Sequence, residues 1–517
     1  MMRPLRWLLS GLAAAGIVFG GGIAPTQAQL GLNLARISDS ITAMDFDEAH
    51  RALDGVDLSE PVVALQAARL ALYEAHCDEA AVILSRPEVA RSEAGSMLGD
   101  IARGCQRVMA ATVSDKDTAR GVEVYYQDEN DRALSPLLFE SVDRSRAMLE
   151  RDLGVTWPRP TRVVVVRDLL SLAAMTGLPY SSAKTTGTVA VAKWGRVTLL
   201  SPRASRHGFP WRDTIAHELT HLAVTRLTLD RAPLWLQEGV AKRQETRWRD
   251  PGPFDDRPSA EAIALRGMAI HIDTPLDKLG PSIAMLPSAD QAAVAFAEVT
   301  SFIRFYADTA AAPGEKALPK LFDAIRAGDD ASGALKALTG TDLAGWDTKW
   351  RAYLGTRTPE PLPSTWGLGS PPPNLHDLRD RARLAELLLG RSHAADALTQ
   401  LTPLTGDVWE DPSLRHLRGL AFEAAGSPSV VEASLGAPKD VAASFGPWWA
   451  IRGRFARLHG DNPAADGFFL EAIAQDPLDV ESACQTLDAA AAAPADPPLK
   501  GLCDAARRRA EPGPGQD

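Results

Sequence analysis

At 517 residues, with 45% apolar and 23% charged residues, the chain is longer than one ordinary core accommodates, and its composition is that of a folded globular protein, not a disordered or multi-span membrane one. A formal net charge of −11 disfavours nonspecific nucleic-acid binding, which relies on a basic surface. The chain begins with Arg3 and Arg6 ahead of an apolar run from Trp7 to Gly20, followed by the small-residue site Thr26-Gln27-Ala28. This pattern predicts a signal peptide over residues 1–28, removed after Ala28, and export to the bacterial periplasm or the extracellular space. No later apolar stretch reaches spanning length, so no integral membrane segment is expected after its removal. An oxidising compartment lets the four cysteines pair. Cys77 and Cys105 share one helical segment and Cys484 and Cys503 another, which predicts two local disulfides, four buried thiols being the alternative.

Residues 29–118 read as an all-helical region, rich in Ala and Leu at helical spacing. Within it Asp47-Glu48-Ala49 precedes Leu53, and Asp78-Glu79-Ala80 precedes Leu84 at the same offset, as in stacked helical hairpins whose small Ala lets two helices approach. From Gly121 the texture changes. Val122–Tyr126 and Thr161–Val166 are β-type runs flanking a helical stretch from Ser135 to Leu153. Two further β-type runs, Gly187–Lys193 and Arg196–Leu200, meet at Trp194-Gly195 and predict a hairpin.

Next comes His217-Glu218-Leu219-Thr220-His221. On a helix the i, i+4 spacing puts both imidazoles on one face, able to share a metal ion, while Glu218 is rotated toward a water on that ion. A catalytic zinc needs a third protein ligand and one open position. The best candidate is Glu238, in the helical segment Pro233-Leu234-Trp235-Leu236-Gln237-Glu238-Gly239-Val240-Ala241, where Gly239 is expected to let this helix approach the first. Asp213, one turn before His217, is read as a helix cap, or else as the carboxylate that orients the His217 ring. His207 and His271 lack ligand spacing and are read as structural or solvent-facing.

Helices resume from Gln291 to Leu354, with Trp346 and Trp350 on a core face. Six prolines in residues 358–373 mark a linker. Beyond it, residues 374–511 carry degenerate motifs, Leu387–Arg391 leading into Ala394 and Ala397, and Ala456–Gly460 leading into Ala464 and Phe468, that resemble tetratricopeptide repeats. Residues 512–517 read as a disordered tail.

The pairing of H-E-L-T-H with W-L-x-E-G-x-A resembles the gluzincin metallopeptidases, specifically the peptidase MA-like domains, over residues 119–357. The resemblance implies an α+β zincin-like metallopeptidase domain flanked by all-α helical-hairpin regions, with Zn2+ on His217, His221 and Glu238, Glu218 as catalytic base, and a peptide or protein as substrate. It also implies that the strand around Gly195–Pro202 is a sheet edge that binds substrate backbone. Related domains carry a Tyr in a downstream helix to hold the oxyanion, but this chain has Phe296 there, leaving Tyr306 or Arg304 as substitutes. The repeats suit a protein partner. An alternative reading makes the repeats the functional part and the central domain a catalytically inactive scaffold.

Overall fold

The computed structural model describes residues 25–510 except 206–207, 253–254, 257, 280–281, 311–315, 360–361, 363–367, 369–374, 405–410, 437–444, 480–481 and 485–496. His207, most of the predicted signal peptide, most of the predicted linker and the tail therefore lie outside the described residues. The first described helix, Pro25–Thr42, spans the predicted cleavage site. Among the described residues no helix is long and apolar enough to cross a membrane.

At the centre is a five-stranded sheet in the order β1-β2-β3-β5-β4. Its strands are β1 Val113–Asp117, β2 Val122–Tyr126, β3 Thr161–Val166, β4 Ala190–Lys193 and β5 Arg196–Leu200. The three inner strands β2, β3 and β5 run parallel, and the outer strands β1 and β4 are antiparallel to their neighbours. Every residue of β3 and β5 is buried, because both faces of the sheet are covered. Val163, Val165, Val197 and Leu199 face the core that contains the H-E-x-x-H helix. Val164, Val166 and Leu200 face the N-terminal helices. The helical hairpins near the N-terminus thus form a layer of the central fold.

The strand β1 falls inside the region read as all-helical. Its sequence Val-Ser-Asp-Lys-Asp carries no apolar alternation, since only the pairing with β2, including Lys116 opposite Glu123, selects the extended form. The β4–β5 hairpin turns at Trp194 and Gly195, both with positive φ (55° and 68°) as a type I′ turn demands. A bulky residue rarely adopts that conformation. Trp194 is held in it by burial and by an edge-on contact with Tyr73 of the N-terminal helices, ring centroids 6.0 Å apart.

The repeat-like helices after residue 374 form hairpins, Leu375–Leu389 with Ala394–Leu401, Pro412–Ala424 with Pro428–Leu435, and Gly446–Leu458 with Asn462–Ile473. Of the small residues flagged in the sequence, Ala49, Ala80 and Ala397 are fully buried where helices cross, whereas Ala464 is half-buried and its neighbour Ala465 takes the buried position. The last of these hairpins docks back on the central domain. Ile473, Leu478, Leu502 and Ala506 share the core of the H-E-x-x-H helix, as does Leu368 from the Pro-rich stretch. The backbone N–H of Phe209, just ahead of that helix, donates to the Gln475 carbonyl at 3.2 Å.

Both cysteine pairs stand at disulfide distance, 1.93 Å between the sulfurs of Cys77 and Cys105 and 2.12 Å between those of Cys484 and Cys503. The first joins two helices of the N-terminal layer. The second ties Cys484 to Cys503 within the docked C-terminal helix Pro497–Ala510.

Candidate metal centre

The motif helix spans Trp211–Thr228 and is buried on nearly every side, from Trp211 through Ile215, Leu219 and Leu222. A second helix, Leu234–Gln244, packs beside it after Pro233 opens its first turn. Gly239 does not serve the contact expected of it. A side chain there would meet Ile303 Cγ1 at 2.4 Å and the Val299 carbonyl at 2.6 Å, so the glycine seats the second helix on a third one, Ala289–Thr309. The small residue is needed on the face turned to that third helix, where Trp235 also meets Phe302 edge-on at 5.4 Å.

His217 and His221 turn their Nε2 atoms toward one point, 3.1 Å apart. Glu238 Oε2 joins them, 3.6 Å from His217 Nε2 and 3.4 Å from His221 Nε2. Ligands about 2.0–2.1 Å from a tetrahedral zinc lie about 3.3–3.4 Å from one another, so these separations fit a single small cation. Among the described residues this is the one group of three or more such side chains close enough to share an ion. The three side chains are largely buried, with 11–17% of each exposed.

Charges here are tightly coupled. Burial opposes protonation of His217, but the carboxylates of Glu238 and Glu245 override it and raise the imidazole to about 10. Burial alone would raise Glu238; the two imidazoles reverse this and hold it well below the usual carboxylate range. A divalent cation bound between these groups would displace such protons.

Glu245, seven residues after Glu238, accepts from His217 Nδ1 at 3.0 Å on the same Oε2 that receives Lys242 Nζ at 2.6 Å. Despite burial, Lys242 and His217 hold its carboxyl down to about 2. An ionised Glu245 keeps the proton of His217 on Nδ1 and leaves Nε2 free to bind a metal. The sequence reading does not reach Glu245, although seven residues are two helical turns and put it on the face of Glu238. Replacing Glu245 by Ala is expected to weaken zinc affinity about 10–100-fold in a chelator competition, and unchanged affinity would remove it from the site.

Asp213 neither caps its helix nor touches His217. The N-cap is Pro210, and the Asp213 carboxylate accepts from Trp248 Nε1 at 2.8 Å and from both Nε and a terminal nitrogen of Arg249, at 2.8 and 2.7 Å. It fastens the chain leaving the second helix to the start of the motif helix. His271 is exposed, as expected.

Glu218 is buried, and its carboxyl is raised by that burial and by Glu238, against the pull of the two histidines. It accepts a hydrogen bond from the backbone of Ala192. Ala192 lies on β4, and this corrects which strand is the edge. The strand Arg196–Leu200 is paired on both sides, to β3 and β4, so the open edge beside the site is Ala190–Lys193. A two-residue turn returns the chain on the outer side, which places β4, not β5, next to Glu218.

Neither substitute for the missing Tyr reaches the centre. Tyr306 is buried in the core edge-on to Trp346, centroids 5.1 Å apart, and Arg304 pairs with Asp256 at 2.7 Å. Phe296 lies 5.9 Å from Lys242 Nζ, against the ring face.

A His-His-Glu centre on two packed helices, with a buried glutamate between the histidines and a sheet edge beside it, is the layout of a metallopeptidase domain. Residues 147–356 match the family described as Peptidase MA superfamily, which supports a peptidase MA-like domain in the central part of this chain. No curated protein and no solved structure matches the chain.

Proposed function

We propose that the protein is an exported, zinc-dependent peptidase of gluzincin type, with His217, His221 and Glu238 as ligands and Glu218 as general base. The observation that carries this reading is the convergence of two Nε2 atoms and one carboxylate oxygen at separations of 3.1–3.6 Å. Zinc bound there would supply Lewis-acid activation of a water and of the scissile carbonyl. Glu218 takes the proton from the attacking water and returns it to the leaving amine, a task favoured by a carboxyl that burial raises above its ordinary value. The open edge of β4 offers backbone groups to an extended peptide, aligning it along the centre. Export accords with the N-terminal sequence and with two cysteine pairs at disulfide distance.

A second reading, a protein-binding scaffold of helical hairpins around an inactive domain, draws on Phe296, which offers no hydroxyl for an oxyanion. Mass-spectrometric metal analysis of the purified chain together with casein digestion separates the two. The peptidase is expected to hold about one zinc per chain and to release peptides that a chelator suppresses. A chain that holds zinc yet cleaves nothing favours the scaffold, and one without zinc affinity overturns the assignment of the ligands.

A further inference from the structure

The sheet face turned away from the metal centre carries a concentration of buried positive charge with too few acids to match it. The register pairs Arg162 of β3 with Arg196 of β5, and on the other side pairs Arg162 with Glu123 of β2. Arg196 is fully buried and Arg162 is 9% exposed. Arg69, 4% exposed, approaches from the N-terminal helices and hydrogen-bonds Tyr73, whose phenol also senses the charge of Arg196. Phe46 covers Arg162, its ring centroid 5.8 Å from the guanidinium, and Gly195 packs on both Tyr73 and Phe46, which closes the three arginines into one neighbourhood.

Protein groups satisfy only part of these side chains. Arg196 donates to the carbonyls of Leu72 and Trp194 and to Cys105 Sγ, and Arg69 to Ser38, Gln66 and Thr42, all uncharged partners. Glu123 lies 3.4 Å from Arg162 Nε but is already engaged by Lys116 at 2.9 Å and by the Tyr125 hydroxyl at 3.1 Å. Asp230, the other acid nearby, faces Lys193 as well as Arg69. Four buried N–H donors are left without a partner, Nε of Arg69, a terminal nitrogen of Arg162, Nε of Arg196 and Nε1 of Trp194, and Arg162 Nε has only the 3.4 Å approach to Glu123. Burying guanidinium groups in this state is costly, and two of them on adjacent strands repel each other as well.

We infer that Arg162, Arg196 and Arg69 form a binding site for a small tetrahedral oxyanion of the phosphate or sulfate type, held between the sheet and the N-terminal helices. A guanidinium N–H is a charge-assisted donor suited to the oxygens of such an ion, Arg69 and Arg196 each offering Nε, Arg162 a terminal nitrogen, and the Trp194 indole N–H adding a further donor. The bound anion would neutralise the repulsion across β3 and β5 and would join the N-terminal layer to the peptidase sheet. The site lies on the opposite face of the sheet from His217, so its occupation bears on assembly of the fold and not on the hydrolytic step.

The test is thermal unfolding of the full chain in anion-poor buffer and with added inorganic phosphate at constant ionic strength. The wild-type midpoint is expected to rise saturably by at least about 2 °C. Arg162→Leu removes a buried charge that Glu123, shared with Lys116, only partly matches, so it is expected to melt above wild type in anion-poor buffer and below it at saturating phosphate. Arg162→Lys, which keeps the charge and loses the fork, is expected to fold and to respond to phosphate more weakly than wild type. Equal phosphate shifts in wild type and both variants would indicate a general salt effect and overturn the site.

Discussion

Glu218→Gln is expected to lower peptide hydrolysis by about 10²–10⁴-fold while leaving zinc content unchanged. The side chain lies on the motif helix between the two ligand histidines but contributes no atom to the ligand triad, so exchanging its carboxylate for an amide leaves the ligands in place. An amide accepts a hydrogen bond from Ala192 as well as a carboxylate does, which keeps β4 where it is. It cannot take up a proton, and that is the function the proposed reaction requires of it. Equal zinc stoichiometry by mass spectrometry with a collapsed rate on a peptide substrate is the expected pair of results. Retained hydrolysis in the purified variant would refute Glu218 as the base.

The second large effect concerns stability. Glu298 is 1% exposed within the helix Ala289–Thr309; one oxygen accepts from the Thr274 N–H at 3.2 Å and the other has no partner. The cation nearby, Arg351, is taken by Asp347 at 2.8 Å and Asp273 at 3.3 Å. Burial, with Asp273 and Asp347 adding to it against Arg351, pushes the Glu298 carboxyl up to about 8 from an ordinary value of 4.5. Between those values the folded chain holds a proton that the unfolded chain has released. Stability from this group is therefore complete below about pH 4.5 and is lost as pH rises toward about 8, at roughly 1.4 kcal/mol per pH unit. Glu298→Gln imitates the protonated form, so it is expected to flatten that decline and to unfold at higher denaturant concentration than wild type at pH 8, with little difference at pH 5. Parallel decline in both proteins would show that Glu298 is not the group responsible.

Local spacing made much of this protein legible. Two histidines four apart must share a helix face, the alternation around Trp194-Gly195 must turn as a hairpin, and the stretch Ser135–Leu153 forms a helix with those bounds. Each follows from the backbone geometry of a single element, which a sequence states directly. The triad needed one step more, the packing of two consecutive helices, and the short loop between them restricts that strongly.

What the tertiary structure alone decided is which elements from distant parts of the chain meet. Gly239 faces Val299 and Ile303, Asp213 is claimed by Trp248 and Arg249, and Gln475 reaches the turn before the motif helix. Parallel pairing sets Arg162 against Arg196, and hairpin placement makes Ala190–Lys193 the edge. The strand Val113–Asp117 exists because β2 offers it an edge to pair with. These outcomes rest on burial and hydrogen-bond satisfaction summed over residues far apart in sequence, and no periodicity within a segment records them. The candidate triad was written in the spacing of two helices, whereas the partners that orient and support it were set by how those helices pack.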